Sequence, residues 1–80
     1  MIISPRKILA NPEILDHVED PYVLVVQTEA WALISPAEVI DSINILYWRG
    51  WETINITSEG SRMSALLKNP HAKQKNVEGT

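Results

Sequence analysis

Between Ser35 and Gly50 the chain carries a full set of helix punctuation, and no other feature of its 80 residues restricts the fold so strongly. Ser35-Pro36-Ala37-Glu38 supplies a cap residue, a proline at the first helical position and a glutamate three residues after the cap, which is a capping box. Val39, Ile40, Ile43, Leu46 and Tyr47 then recur at the spacing that puts side chains on one helical face. Gly50 stands where a left-handed C-terminal cap is needed, and Arg49 before it suits the carbonyl end of the helix dipole. The predicted helix runs over 36–49.

The segments on either side read as strands. Residues 22–28, Tyr-Val-Leu-Val-Val-Gln-Thr, are apolar on both faces at their start and predict a strand covered on both sides, continuing irregularly toward residue 34. Residues 51–58 are rich in β-branched and aromatic side chains, with Ile54 and Ile56 expected on one face and Trp51, Thr53, Asn55 and Thr57 on the other. Glu59-Gly60 supplies a turn, and 61–68 alternates again with Met63, Ala65 and Leu67 on one side, so the last two strands predict a hairpin ended by Pro70. A right-handed crossover through the helix makes the first two strands parallel. The return strand 61–68 is then expected between them, the alternative being that the first two strands lie side by side.

The expected class is α+β: a small βαββ sheet over residues 21–69 with one main helix packed on one face. A short, partly helical N-terminal segment precedes it over 1–20, where Ser4-Pro5 and Asn11-Pro12-Glu13 can each start a helical turn. Residues 70–80 are polar and expected to form a flexible tail.

This layout, an apolar strand, a helix ending in Gly50-Trp51-Glu52 and a hairpin, resembles a family of small bacterial domains of unknown function that share a Gly-Trp-Glu signature. Ile43 and Leu46 stand at helix positions that usually carry leucine in that family, and the likeness covers roughly residues 22–67. Tyr47-Trp48-Arg49 departs from the small or acidic residues expected before the glycine. The resemblance implies the fold and carries no catalytic residue with it.

A chain of 80 residues buries only about 60–65% of its unfolded surface, so its core calls for support. The absence of cysteine excludes disulfides, thiolate metal sites and cysteine nucleophiles together. His17 and His71 are far apart in sequence and lack clustered partners, so no metal and no cofactor is expected. A partner chain is the remaining support. The N-terminus lacks a signal-peptide pattern and no apolar run nears the ~20 residues that span a bilayer, which predicts a cytoplasmic protein without membrane attachment.

Charge is segregated: residues 11–60 hold nine carboxylates against Arg49 alone, a net of −8, while Arg62, Lys68, Lys73 and Lys75 follow. Phosphate neutralisation supplies most nucleic-acid affinity, so the acidic middle argues against nucleic acid in spite of the Trp48-Arg49-Gly50-Trp51 aromatic and basic cluster. No phosphate loop, metal spacing or nucleophile elbow is present.

Each candidate site residue has a plainer reading. Glu52 beside Trp51 suits a desolvated general acid, yet a glutamate alternating outward on a strand is commonly solvated. His17, in Asp16-His17-Val18-Glu19-Asp20, suits a base or a pH-responsive contact, whereas surface histidine in an acidic loop is commoner. Ser35 is explained by its cap role.

On a helical wheel Ile45 and Trp48 fall opposite the Val39/Ile43/Leu46 stripe, and Trp31 with the outward pair expected at Val23 and Val25 adds to this surplus. Ile8, Leu9, Ile14 and Leu15 folding back would cover part of it. The leading expectation is a non-enzymatic, self-associating interaction domain, a dimer anchored by Trp31, Ile45 and Trp48. The alternative is a small-ligand site, enzymatic or not, near a dimer junction, with walls of Tyr22, Trp31 and Trp51 and His17 or Glu52 as the polar group.

Overall fold

The computed structural model describes residues 1–28, 35–60 and 62–72. Its elements in order are strand β1 (Ile2–Ile3), helix α1 (Pro5–Ala10), a 3-10 turn (Pro12–Leu15), strand β2 (Tyr22–Val25), helix α2 (Pro36–Trp48), and strands β3 (Glu52–Glu59) and β4 (Arg62–Lys68). The sheet order is β1-β2-β4-β3. β4 runs antiparallel to both β2 and β3, so the return strand of the hairpin sits between the other two, as the split arrangement requires. The class is α+β, with one main helix on one face of a mixed sheet.

The N-terminal twenty residues are part of this body. β1 adds a parallel edge to β2, with Leu24 donating its N–H to the Met1 carbonyl at 2.9 Å and Val26 to that of Ile3 at 3.0 Å. No sequence rule would pick out a strand this short. Both proline-led starts are used: Ser4 caps α1, its Oγ accepting from Arg6 N–H, and Asn11 caps the 3-10 turn through Oδ1 and Glu13 N–H. α1 then lies on α2, and the contact is polar at its centre. The buried Ser42 hydroxyl lies 2.8 Å from the Glu38 carbonyl and 3.2 Å from that of Pro5, so its single proton is shared between its own helix and the neighbouring one.

The core joins Ile3, Ile8, Leu15, Val23, Val25, Val39, Leu46, Trp51, Ala65 and Leu67. Three expectations change here. Val23 and Val25 do not face outward: they are fully buried against the helices, and the alternation along β2 leaves Tyr22 and Leu24 on the opposite side. α2 buries Val39, Ser42 and Leu46, while Ile40 and Tyr47 lie in solvent. α1 seats on Ser42, which turns the buried arc away from Ile40 and Tyr47. β3 is not half-buried as a whole. Its register shifts between Thr53 and Asn55, so Thr53 opposes the inward Leu67 and Asn55 opposes Leu66, with Ile54 as the extra residue. The bulge breaks the alternation and puts Ile54 and Ile56 on different faces, each nearly half exposed.

The expected irregular continuation of the first strand to residue 34, including Trp31, and the tail beyond residue 72 lie outside the described residues.

Candidate functional site

The region around Gly50 joins the helix layer to the sheet. Gly50 has φ of 94°, and Trp51 N–H donates to the Leu46 carbonyl at 2.9 Å while Gly50 N–H donates to that of Tyr47 at 3.0 Å. These are the two bonds of a Schellman motif, whose usual companion is an apolar contact between the residue after the glycine and the third residue from the helix end. Here those residues are Trp51 and Leu46, both buried in the core. Helix punctuation therefore places Trp51 inside. α2 ends at Trp48 and Arg49 is its cap residue. The Arg49 guanidinium turns to Asp16, with Nε donating to Oδ1 at 3.3 Å and Nη2 to Oδ2, and this two-pronged pair ties the helix end to the turn after residue 15.

The sheet end is held to the same turn by Asn69. Its Nδ2 donates to the carbonyls of Val18 at 2.7 Å and Asp20 at 2.9 Å, its backbone N–H donates to Pro21 O at 2.8 Å, and its Oδ1 accepts from His71 N–H at 2.8 Å. Asn69 is buried, and its side-chain amide and its backbone N–H all have partners. Sequence reasoning passed over it. The available signal was an Asn-Pro pair closing a strand, which favours a side chain bonding back to nearby backbone.

An open groove runs beside this clasp, with His17, Asp20, Tyr22, Lys68, Asn69 and His71 among its walls. It brings together His17 and Tyr22 of the expected ligand site. It does not include Trp51, which is buried behind it with His71 packed edge-on at 6.4 Å, nor Glu52, which is exposed at the start of β3 opposite Lys68. Much of the groove's polarity serves the fold: Asp16 is held by Arg49, and Asp20 takes the Met1 amino group at 2.9 Å. Among the described residues no three His, Asp or Glu side chains cluster as a metal ion would need, and no helix is long and apolar enough to cross a membrane. The Trp51 indole N–H is buried and meets no acceptor among the described residues.

The expected interface residues occupy a different surface. Trp48 is 83% exposed, and its ring meets that of Tyr47, 65% exposed, edge to face at 5.3 Å. Ile40, about two turns back along α2, lies on the same solvent side. Ile45 is half-buried, and Trp31 is outside the described residues.

Among the described residues, Glu38 departs clearly from its ordinary titration range. The Arg6 guanidinium, bonded to its carboxylate at 2.8 Å, and the Ser35 backbone N–H at 2.9 Å hold it below the usual carboxylate value. This carboxylate completes the α2 cap and links α1 to α2, so its perturbation is structural.

No protein-family model matches the chain, and neither a curated protein nor a solved structure matches it. The likeness to the Gly-Trp-Glu domains rests on residues 50–52, on Ile43 and Leu46, and on the order of elements.

Proposed function

We propose that this chain is a non-enzymatic interaction domain that associates with further copies of itself, a dimer in the simplest case, through the solvent face of α2. The supporting observation is Trp48, 83% exposed on a rigid helix. Tyr47 beside it and Ile40 about two turns back are also exposed on this side of α2, with Asn44 between them. Tryptophan and tyrosine are the residues that most often dominate interface energetics, and burying them costs little side-chain entropy. Ile45 borders this surface, and Trp31 completes the anchor set in this reading. A cytoplasmic location goes with it.

The test is thermal unfolding over a range of protein concentration, with and without Trp48→Glu. Association stabilises the folded state by mass action, so the wild-type Tm should rise with its own concentration and that of Trp48→Glu should rise less. A wild-type Tm independent of concentration would sink the proposal.

A second reading keeps the groove that joins His17 and Tyr22 as a small-ligand site. It predicts stabilisation by some member of a metabolite panel that is lost in His17→Ala. A panel that leaves the Tm unmoved removes it.

A further inference from the structure

The sheet has a second face, and its register can be read across all four strands. Ile2 pairs with Leu24, Leu24 with Leu66, and Leu66 with Asn55, all on the side away from the helices, and the bulge adds Ile54 to that side by alternation from the inward Thr53. Tyr22, Lys68 and Glu52 form the next row toward one end of the strands. Thr57 and Ser64, then Glu59 and Arg62, form the rows toward the other end. Ile2, Tyr22 and Ile54 are exposed, and Leu24 and Leu66 are half-buried. The face thus has an uncharged middle bracketed by two rows, each with a glutamate on β3 and a basic residue on β4. None of these four charges is in an ion pair among the described residues.

That arrangement selects an occupant. Two sheets that pack face to face keep their strands roughly aligned, about 10 Å apart. A two-fold axis parallel to the strands, between β3 and β4, sets β4 of one copy over β3 of the other without reversing the rows. Lys68 then faces the other copy's Glu52, Arg62 faces its Glu59, and Leu66 lies over its Ile54–Asn55 bulge. An axis across the strands would instead set Lys68 over Arg62 and Glu52 over Glu59, like charge on like at both ends. We infer that the β3–β4 half of the open sheet face is a self-complementary docking surface for a second copy of this chain, stacked about an axis parallel to the strands. This rests on the self-association reading above but names a different surface, on the opposite side of the sheet from α2, so the two contacts can fail separately.

Sedimentation equilibrium of the intact chain tests it with charge-reversal variants. Lys68→Glu faces two glutamates with each other twice per dimer, and should weaken association by about tenfold or more. Glu52→Lys combined with Lys68→Glu restores opposite charges across the two-fold and should recover most of the wild-type affinity. All these positions are exposed, so circular dichroism should stay unchanged. If one pair fails to fold, Arg62→Glu and its rescue by Glu59→Lys read the same prediction at the other end. An association unaffected by Lys68→Glu, or a double variant no tighter than the single one, overturns the sheet-face contact. If in that case Trp48→Glu still dissociates the wild-type assembly, the α2 proposal survives. A wild type that stays monomeric removes both.

Discussion

The two faces of the sheet are built from neighbouring residues and behave in opposite ways. Val23, Val25, Ala65 and Leu67 point at the helices and are all but completely buried, whereas Tyr22, Leu24, Leu66 and Lys68, one position along the same strands, face away and keep contact with solvent. The same division separates the two tryptophans at the end of α2: Trp51 is 2% exposed and Trp48 83%, with two residues between them. Burial in this molecule is one-sided. Stability is concentrated in a single layer between α1, α2 and the sheet, and large apolar side chains on the other sides stay open to solvent.

The largest effect that would sharpen this contrast comes from truncating adjacent residues of β4. Leu67→Ala opens a cavity in the packed layer and should cost about 2–5 kcal/mol, whereas Leu66→Ala should cost under about 1 kcal/mol in the dissociated chain. Guanidinium unfolding of both variants under dissociating conditions checks this. Equal losses would mean that the outer face is also core.

A smaller effect is expected at Trp51. Its indole N–H is buried without an acceptor among the described residues, so Trp51→Phe removes an unsatisfied donor together with some volume. The two changes oppose each other, and the net cost should stay under about 1.5 kcal/mol, well below the ~3–5 kcal/mol of a Trp→Ala truncation. A Trp51→Phe variant as damaged as Trp51→Ala would show that the N–H has a partner of consequence.

The smallest effect is the pH dependence at Glu38. Its carboxyl is held below the ordinary value of 4.5, so ionised Glu38 favours the folded state above that value. The contribution is lost as pH falls through the lowered folded value. Wild type should therefore be more stable than Glu38→Gln at neutral pH, and the difference should fade in acid. A difference that grows as pH falls would contradict the Arg6–Glu38 link.

How far the sequence could be read follows the range of the forces involved. The ends of α2 were legible to within a residue because caps act locally: Glu38 bonds back to Ser35, and Gly50 takes the left-handed conformation that closes the Schellman motif. The central place of β4 followed from connection rules. Orientation within elements was harder. Val23 and Val25 cannot be told from Leu24 and Val26 in an apolar run, and only the helices above them decide which pair turns inward. The burial of Ser42 in place of Ile40 depends on α1, and the bulge at Ile54 on its pairing with β4. The Asn69 clasp joins positions about fifty residues apart, which no local pattern encodes. Of the residues singled out for function, the groove gathers His17 and Tyr22, while the Schellman motif draws Trp51 into the core and Glu52 stands next to the groove's Lys68 without lining it.

Self-association is the claim on which the proposed role depends, and sedimentation velocity of the unmodified chain from about 1 to 100 μM tests it most directly, since that range brackets the affinities of ordinary reversible dimers. The weight-average sedimentation coefficient should rise with concentration from that of a monomer toward that of a dimer or larger assembly. A single monomeric species across the whole range would contradict the account.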